Sequence, residues 1–153
     1  MRTVHDIEAL KALVGDELGV SDWIEITQER IQRFADATDD HQWIHVDVER
    51  AERESPMNSP IAHGFLTLSM LPRLWQGLFE VNNVQARINY GLNKVRFPAP
   101  VLAGSRIRAR FRLKSVESGG DNRFFVCSEV TIELAGSERP ACVAESLTLY
   151  LLA

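Results

Sequence analysis

The sequence predicts an α+β domain in which an antiparallel sheet wraps a buried helix, and three observations lead there. Residues 64–79 carry Phe65, Leu66, Leu68, Met70, Leu71, Leu74, Trp75, Leu78 and Phe79, a pattern apolar on nearly every side, as in a helix with no wet face. Residues 106–114 alternate Arg106, Arg108, Arg110, Arg112 and Lys114 with Ile107, Ala109, Phe111 and Leu113, the period-two mark of a strand wet on one face and buried on the other. Similar runs at 84–95, 124–134 and 142–152 are joined by turns such as Ser118-Gly119-Gly120-Asp121 and Ala135-Gly136-Ser137, so the second half reads as an antiparallel meander. A helix too apolar for water and a sheet with one dry face satisfy each other by packing together.

In chain order, residues 7–18 place Ile7, Leu10, Leu13 and Val14 near helical spacing and stop at Gly19, which predicts a short leading helix. Trp23-Ile24-Glu25-Ile26 reads as a brief strand. Thr27 then caps a helix that shows Ile31, Phe34 and Ala35 on one face and delivers the chain to Asp39 and Asp40. The acidic start and mixed charge of residues 47–54 predict a solvated helical turn, and Ser55-Pro56-Met57-Asn58-Ser59-Pro60 a loop. Pro72 has to kink or divide the apolar helix, because proline lacks a backbone donor and its ring clashes with the preceding turn. Strands begin after Asn82-Asn83, and with no repeat or linker in view a single domain over residues 1–153 is expected.

A chain of 153 residues, 45% apolar and 25% charged, can bury a core of ordinary size. Its 21 acidic and 17 basic residues give a net charge of -4 with neither a basic arm nor an acidic tail, so no nucleic-acid partner is expected. Met1-Arg2-Thr3-Val4-His5-Asp6 contains no apolar signal core, and no uncharged apolar run of about 18 residues occurs, so no membrane partner is expected either. Cys127 and Cys142 lie in apolar strand-like runs and read as buried reduced thiols, which fits a cytoplasmic setting.

The segment Ala37-Thr38-Asp39-Asp40-His41-Gln42-Trp43-Ile44-His45-Val46-Asp47 gathers three acids and two histidines in eleven positions between two expected helices. Loops held by a rigid scaffold concentrate catalytic groups. A carboxylate and an imidazole at Asp40 and His45 can converge on one water, one group taking a proton while the other gives one. By residue type alone the segment also admits a plainer reading, with Asp39 or Asp40 ending a helix and His45 a hydrogen-bonded, half-buried histidine. A metal site is a third reading, since His41 and His45 are four apart near acids; against it, no His-Glu-x-x-His pattern occurs and Trp43 lies between them. Downstream, His63-Gly64 opens the apolar helix, where free N–H groups and the helix dipole favour an anionic oxygen and the missing Cβ lets a carbonyl come close. A plain helix-start glycine would read the same way.

Taken in order, Asp40-x-x-x-x-His45 and Ala62-His63-Gly64-Phe65-Leu66 are similar to the signature of the MaoC-like dehydratases, also called R-specific enoyl-CoA hydratases. Asn89-Tyr90-Gly91-Leu92-Asn93-Lys94-Val95-Arg96-Phe97-Pro98-Ala99-Pro100-Val101 resembles the branch that includes the nodulation protein N relatives, and the similarity extends over residues 27–153. The resemblance implies the hot dog fold. It also implies that Asp40 and His45 hold the attacking water, that the Gly64 N–H receives the thioester oxygen, and that water adds reversibly and syn to a trans-2-enoyl thioester to give the R-3-hydroxyacyl product. That chemistry is coherent: hydration drives negative charge onto the thioester oxygen, where a preorganised donor is worth about 3–4 kcal/mol, and proton transfer by a dyad adds a factor of roughly 10²–10⁴. A close acid–imidazole pair shares its titration, so the sequence does not divide base from acid. Two departures stand out: Gln42 and Trp43 occupy positions where many relatives have Asn-Pro, and Gly104-Ser105 stands where Gly-Asp is common.

Further residues enter as substrate-binding candidates. Gln42 can hydrogen-bond a dyad member or the substrate, and His63 adjoins the expected oxyanion donor. Asn89 and Tyr90 fall on the expected acyl path, and Lys94 and Arg96, alternating on a strand, can meet coenzyme A phosphates. Strand pairing, turns and a solvated face account for the same residues. No metal and no separate cofactor are expected, coenzyme A or an acyl carrier being part of the thioester substrate. A hot dog thioesterase is a competing function, but such enzymes place an acid on or near the central helix and residues 64–79 contain none. A noncatalytic acyl-thioester-binding subunit is another, and the presence of both Asp40 and His45 counts against it. Exposed sheet edges in a small domain, together with the pairing usual in the resembling family, lead to the expectation of a homodimer.

Overall fold

A computed structural model describes residues 1–153. Four long strands make its frame: β5 (Val84–Arg96), β6 (Arg106–Ser118), β7 (Arg123–Leu134) and β8 (Cys142–Leu152). With two short strands, β2 (Glu17–Val20) and β3 (Ile24–Glu25), they form one antiparallel sheet in the order β2-β6-β7-β8-β5, β3 lying against β6. The alternation in β6 works as expected, with Ile107, Ala109, Phe111 and Leu113 at most 4% exposed. On the opposite face Arg110 meets Glu17 at 2.6 Å and Glu133 at 3.2 Å, and Lys114 meets Glu145 at 2.7 Å.

The expected meander is only partly present. β6, β7 and β8 follow one another, but β5 crosses to the far side and pairs with β8. The connection from β5 to β6 contains Pro98 and Pro100 and cannot close a tight hairpin; part of it pairs instead with residues 60–62. β5 thereby becomes a free edge, interrupted by register shifts between Val84 and Ala86, Asn89 and Gly91, and Asn93 and Arg96.

The sheet curves around α5 (Gly64–Ser69) and α6 (Leu71–Trp75), whose Leu66, Thr67, Met70 and Leu74 are buried. The apolar stretch divides at Met70, and Pro72 falls in the first turn of α6, where a missing N–H costs little. Two details depart from the sequence reading. Phe65 is 70% exposed, and the helix ends before Gln76, so Phe79 opens a strand, β4 (Phe79–Val81), that pairs in parallel with β1 (Arg2–Val4).

At the amino end the leading helix α1 is short (Ile7–Lys11), because the chain turns and runs through Gly19 as β2. Thr27 caps α2 (Gln28–Thr38), its hydroxyl accepting the Arg30 N–H at 3.1 Å, and Asp47 caps α4 (Val48–Glu54) through the Arg50 N–H at 3.1 Å. Cys127 and Cys142 are buried and unpaired. No helix is long and apolar enough to cross a membrane.

Candidate active site

Three segments meet at the start of α5. The first is the end of α2, where Asp39 adopts a left-handed conformation (φ 58°, ψ 20°) and turns Asp40 off the helix axis; aspartate tolerates this region better than most residues because its short polar side chain can bond locally. The second is a four-residue helix, α3 (Trp43–Val46), so His45 rides on a helical turn and not on the open loop expected from the sequence. The third is the chain entering α5, where the Ala62 N–H meets the Val101 carbonyl at 2.8 Å and the Ala103 N–H meets the Pro60 carbonyl at 2.9 Å. That zipper fixes where His63 and Gly64 emerge.

His45 is 7% exposed and His63 3%, whereas Asp40 is exposed. One carboxylate oxygen of Asp40 and one ring nitrogen of each histidine lie within 4.8 Å of one another. His45 Nδ1–H donates to the Ile61 carbonyl at 2.7 Å, which leaves Nε2 of the neutral ring as an acceptor. Gln28 of α2 donates to the His45 carbonyl at 2.8 Å, holding the backbone beneath it. Burial pushes the His45 pKa below its ordinary value; the Ile61 hydrogen bond opposes this, His63 reinforces it, and the Asp40 charge opposes it.

His63 lies under the pair. Its Nε2–H donates to the Asp40 backbone carbonyl at 3.0 Å, and its ring stacks on His45 at 3.8 Å and meets the Phe34 ring at 4.9 Å, tilted by 54°. Its Nδ1 is buried without a partner. Gln42 is exposed, and its backbone N–H, not its side chain, reaches Asp40 Oδ1 at 3.4 Å.

Three ligand-type groups this close raise the question of a metal. Stacked imidazoles send their ring-plane lone pairs side by side instead of toward one point, and His45 Nδ1 and His63 Nε2 are already committed to carbonyls. Each histidine thus spends one ring nitrogen on a backbone carbonyl and keeps the other free. His41, the other histidine of the sequence-level metal reading, is engaged elsewhere, 2.9 Å from Asp36.

Gly64 is the first residue of α5, and its N–H has no backbone acceptor. The Phe97 ring lies against it so closely that a Cβ there would stand 3.2 Å from the ring. Asn89 and Tyr90 line a cavity whose walls do not include Asp40 or His45. It encloses about 790 Å³ between the sheet and α5–α6, its helical wall begins at Leu68, and the Tyr90 ring packs on Phe125 at 4.8 Å. Lys94 and Arg96 do not share the regular alternation expected of them, because Lys94 has φ 52° inside a register shift; Lys94 sits 3.4 Å from Glu145, and Arg96 donates to the Val95 carbonyl at 2.7 Å.

Four contributors were missed at the sequence level. The Ile61 carbonyl has no side-chain signature, and Gln28 and Phe34 are ordinary helix residues until the fold brings α2 over the site. Phe97 alone carried a signal, since it stands in the Arg96-Phe97-Pro98 block.

A family model described as MaoC like domain matches residues 10–133. The chain is 52% identical over 151 residues to 3-hydroxyacyl-thioester dehydratase Z of Mycobacterium tuberculosis (strain CDC 1551 / Oshkosh), covering 99% of each chain. It is 46% identical over 137 residues to nodulation protein N of Rhizobium leguminosarum bv. viciae, covering 89% of this chain and 85% of that one. Among solved structures, a MaoC-like dehydratase from Rhodospirillum rubrum superposes with a TM-score of 0.73 at 21% identity, covering 92% of this chain and 93% of that one. The sheet curled about a central helix is the hot dog fold, and the chain belongs to the MaoC-like domain family.

Proposed function

We propose that the chain is an R-specific enoyl-thioester hydratase, running in reverse as a 3-hydroxyacyl-thioester dehydratase, with Asp40 and His45 as the acid/base pair and the Gly64 N–H as oxyanion donor. The observation that carries this reading is the pairing of His45, whose Nε2 is left free by the Nδ1–Ile61 bond, with Asp40, one ring nitrogen and one carboxylate oxygen of the two lying within 4.8 Å of each other. A gap of that size suits one water accepted by both groups, each hydrogen bond being about 2.8 Å. The name of the relative that is 52% identical supports the same reaction class.

The chemistry then follows. A water donating one hydrogen to Asp40 and one to His45 is left with a lone pair free to attack the β-carbon. As the C–O bond forms, the π electrons move toward the α-carbon and charge gathers on the thioester oxygen, which the Gly64 N–H receives. One dyad member takes a proton from the water and a proton from the dyad closes the α-carbon; delivery from one side makes the addition syn. Coenzyme A or an acyl carrier serves as the thioester's handle, and no other cofactor is required.

We further propose a homodimer joined along β5. This strand ends the sheet with its outer edge unpaired and exposes Ile88, Tyr90 and Leu92, the kind of edge that a second copy covers. Sedimentation at micromolar concentration tests it: a dimer is expected, and a monomer overturns it.

The reaction is tested by the loss of crotonyl-CoA's conjugated absorbance with the wild type, Asp40→Asn and His45→Gln. Hydration lost by orders of magnitude in both folded variants is the expected result. Turnover that survives both substitutions puts the chemistry on other residues, and thiol release without loss of the alkene makes the protein a thioesterase.

A further inference from the structure

The cavity between the sheet and α5–α6 has two walls of different kinds. The helical wall is mainly apolar, Leu68, Leu71, Pro72 and Trp75 making most of it beside Ser69 and Gln76. The sheet wall is mixed, with Phe111, Val126 and Leu92 beside a set of polar side chains. Pairing register puts Ser128 directly opposite Ser146, sets Thr148 between Val126 and Asn89, and sets Tyr150 opposite Arg87, and all of these line the cavity. Directly paired residues share a face, so the polar side chains form one stripe across β7, β8 and β5.

A stripe of this kind is unexpected on the covered face of an antiparallel sheet, which normally carries apolar side chains. The neighbouring part of the same face obeys the rule, with Phe111, Leu113 and Val130 at most 4% exposed. Ser128 is 9% exposed, and the hydroxyls of Ser128, Ser146 and Thr148 and the amide of Asn89 are without partners among the side-chain hydrogen bonds of the protein, which elsewhere join Lys114 to Glu145 and Arg110 to Glu133. Across the cavity the Trp75 indole N–H is buried with no acceptor.

The cavity starts at Leu68, one helical turn past Gly64, so a thioester held at Gly64 can send one of its arms along α5 and between the two walls. An unsubstituted hydrocarbon chain suits the helical wall but dries the stripe without replacing water's hydrogen bonds, and such unmet groups weaken binding. A chain with oxygens on one edge suits both walls.

Resting on the hydratase reading, we infer that this cavity receives acyl groups bearing hydroxyl or keto oxygens beyond the reacting carbons, in preference to plain hydrocarbon chains. Ser128, Ser146, Thr148 and Asn89 then set specificity, while the apolar helical wall holds the opposite edge of the chain.

The test compares trans-2-decenoyl-CoA with analogues carrying one hydroxyl at a carbon from C6 to C9, in the wild type, the double variant Ser128→Ala/Ser146→Ala, and Thr148→Val. The wild type should favour at least one hydroxylated analogue in kcat/KM by about tenfold or more, since sites built to bond a hydroxyl discriminate strongly against its absence. That ratio should fall toward unity in the variants. Equal or greater preference for the plain chain in the wild type overturns the inference. So does an equal loss for every thioester, crotonyl-CoA included, because the stripe would then serve the carrier arm common to them all. Calorimetric binding of the saturated decanoyl-CoA and its hydroxylated analogues reads the same preference without turnover, so a protein that shows the preference but hydrates nothing refutes the hydratase reading and leaves this inference standing.

Discussion

The imidazoles of His45 and His63 lie face to face at 3.8 Å, 23° from parallel, while the edge of His63 holds the backbone carbonyl of Asp40 at 3.0 Å. One buried ring thus sets the position of both members of the proposed dyad. A misplacement of about 1 Å in such a site costs as much as a hundredfold in rate.

His63 separates into two tests. His63→Phe keeps a ring face for His45 but loses the N–H to Asp40, and His63→Gln keeps a donor but loses the face. Each should lower kcat on crotonyl-CoA by about tenfold to a hundredfold with little change in KM, the signature of lost positioning. Near-UV circular dichroism checks that the fold is intact, and full kcat in both variants would remove His63 from the site's framework.

Gly64→Ala adds a Cβ 3.2 Å from the Phe97 ring, which is 39% exposed and has room to shift. The expected result is a loss of about tenfold in kcat/KM, because the ring or the helix start must give way at the proposed site of the thioester oxygen. Phe97→Ala in the same chain should restore part of the activity. If it restores none, the contact with Phe97 is not what limits the variant.

The pH profile should reflect the burial of His45, which holds its pKa below the ordinary imidazole value. Between the folded value and the unfolded value of about 6.5 the unfolded chain binds more protons, so stability rises with pH there. The His45 contribution is complete above the unfolded value and is lost as pH falls through the folded one. His41 acts in the opposite sense: its hydrogen bond to Asp36 raises its pKa, and its contribution is present at low pH and lost as pH rises through the raised value. Thermal melts in a His41→Gln background should therefore fall with acidification, and His45→Gln should flatten that fall. The same displacement predicts that kcat/KM falls on acidification with a midpoint below the ordinary imidazole value.

Neither cysteine should react with a thiol reagent in the native protein. Burial pushes the Cys142 thiol up to about 11 and raises that of Cys127, and both side chains are at most 5% exposed. Two thiols should appear only on unfolding, which a timed reaction with and without denaturant reads directly.

Much of this was legible in the sequence because the relevant patterns are local. The alternation of β6, the Thr27 cap and the apolar stretch after Gly64 each declare themselves within a few residues. Asp40, His45 and Gly64 were singled out because they stand in ordered blocks. What the sequence concealed depends on distant pairing: the crossing of β5 to β8, the parallel pair of β1 and β4, and the turn of the chain through Gly19 into β2 all require a partner strand to exist first. His63 was expected to touch substrate; the structure shows its Nε2–H bonded to Asp40 and its ring stacked on His45 and packed against Phe34. The bond to Asp40 spans 23 positions, which no local pattern records.

The three register shifts along β5 make its free edge selective. A flat, regular edge offers its hydrogen bonds to any extended peptide and so invites fibrous stacking. This one breaks its spacing three times and twists at each break, so a generic strand falls out of step after a few residues. Only a chain carrying the complementary irregularities can stay in step along all thirteen residues. In the proposed homodimer the bulges would therefore serve as an identity check, admitting a strand that matches them and turning away others.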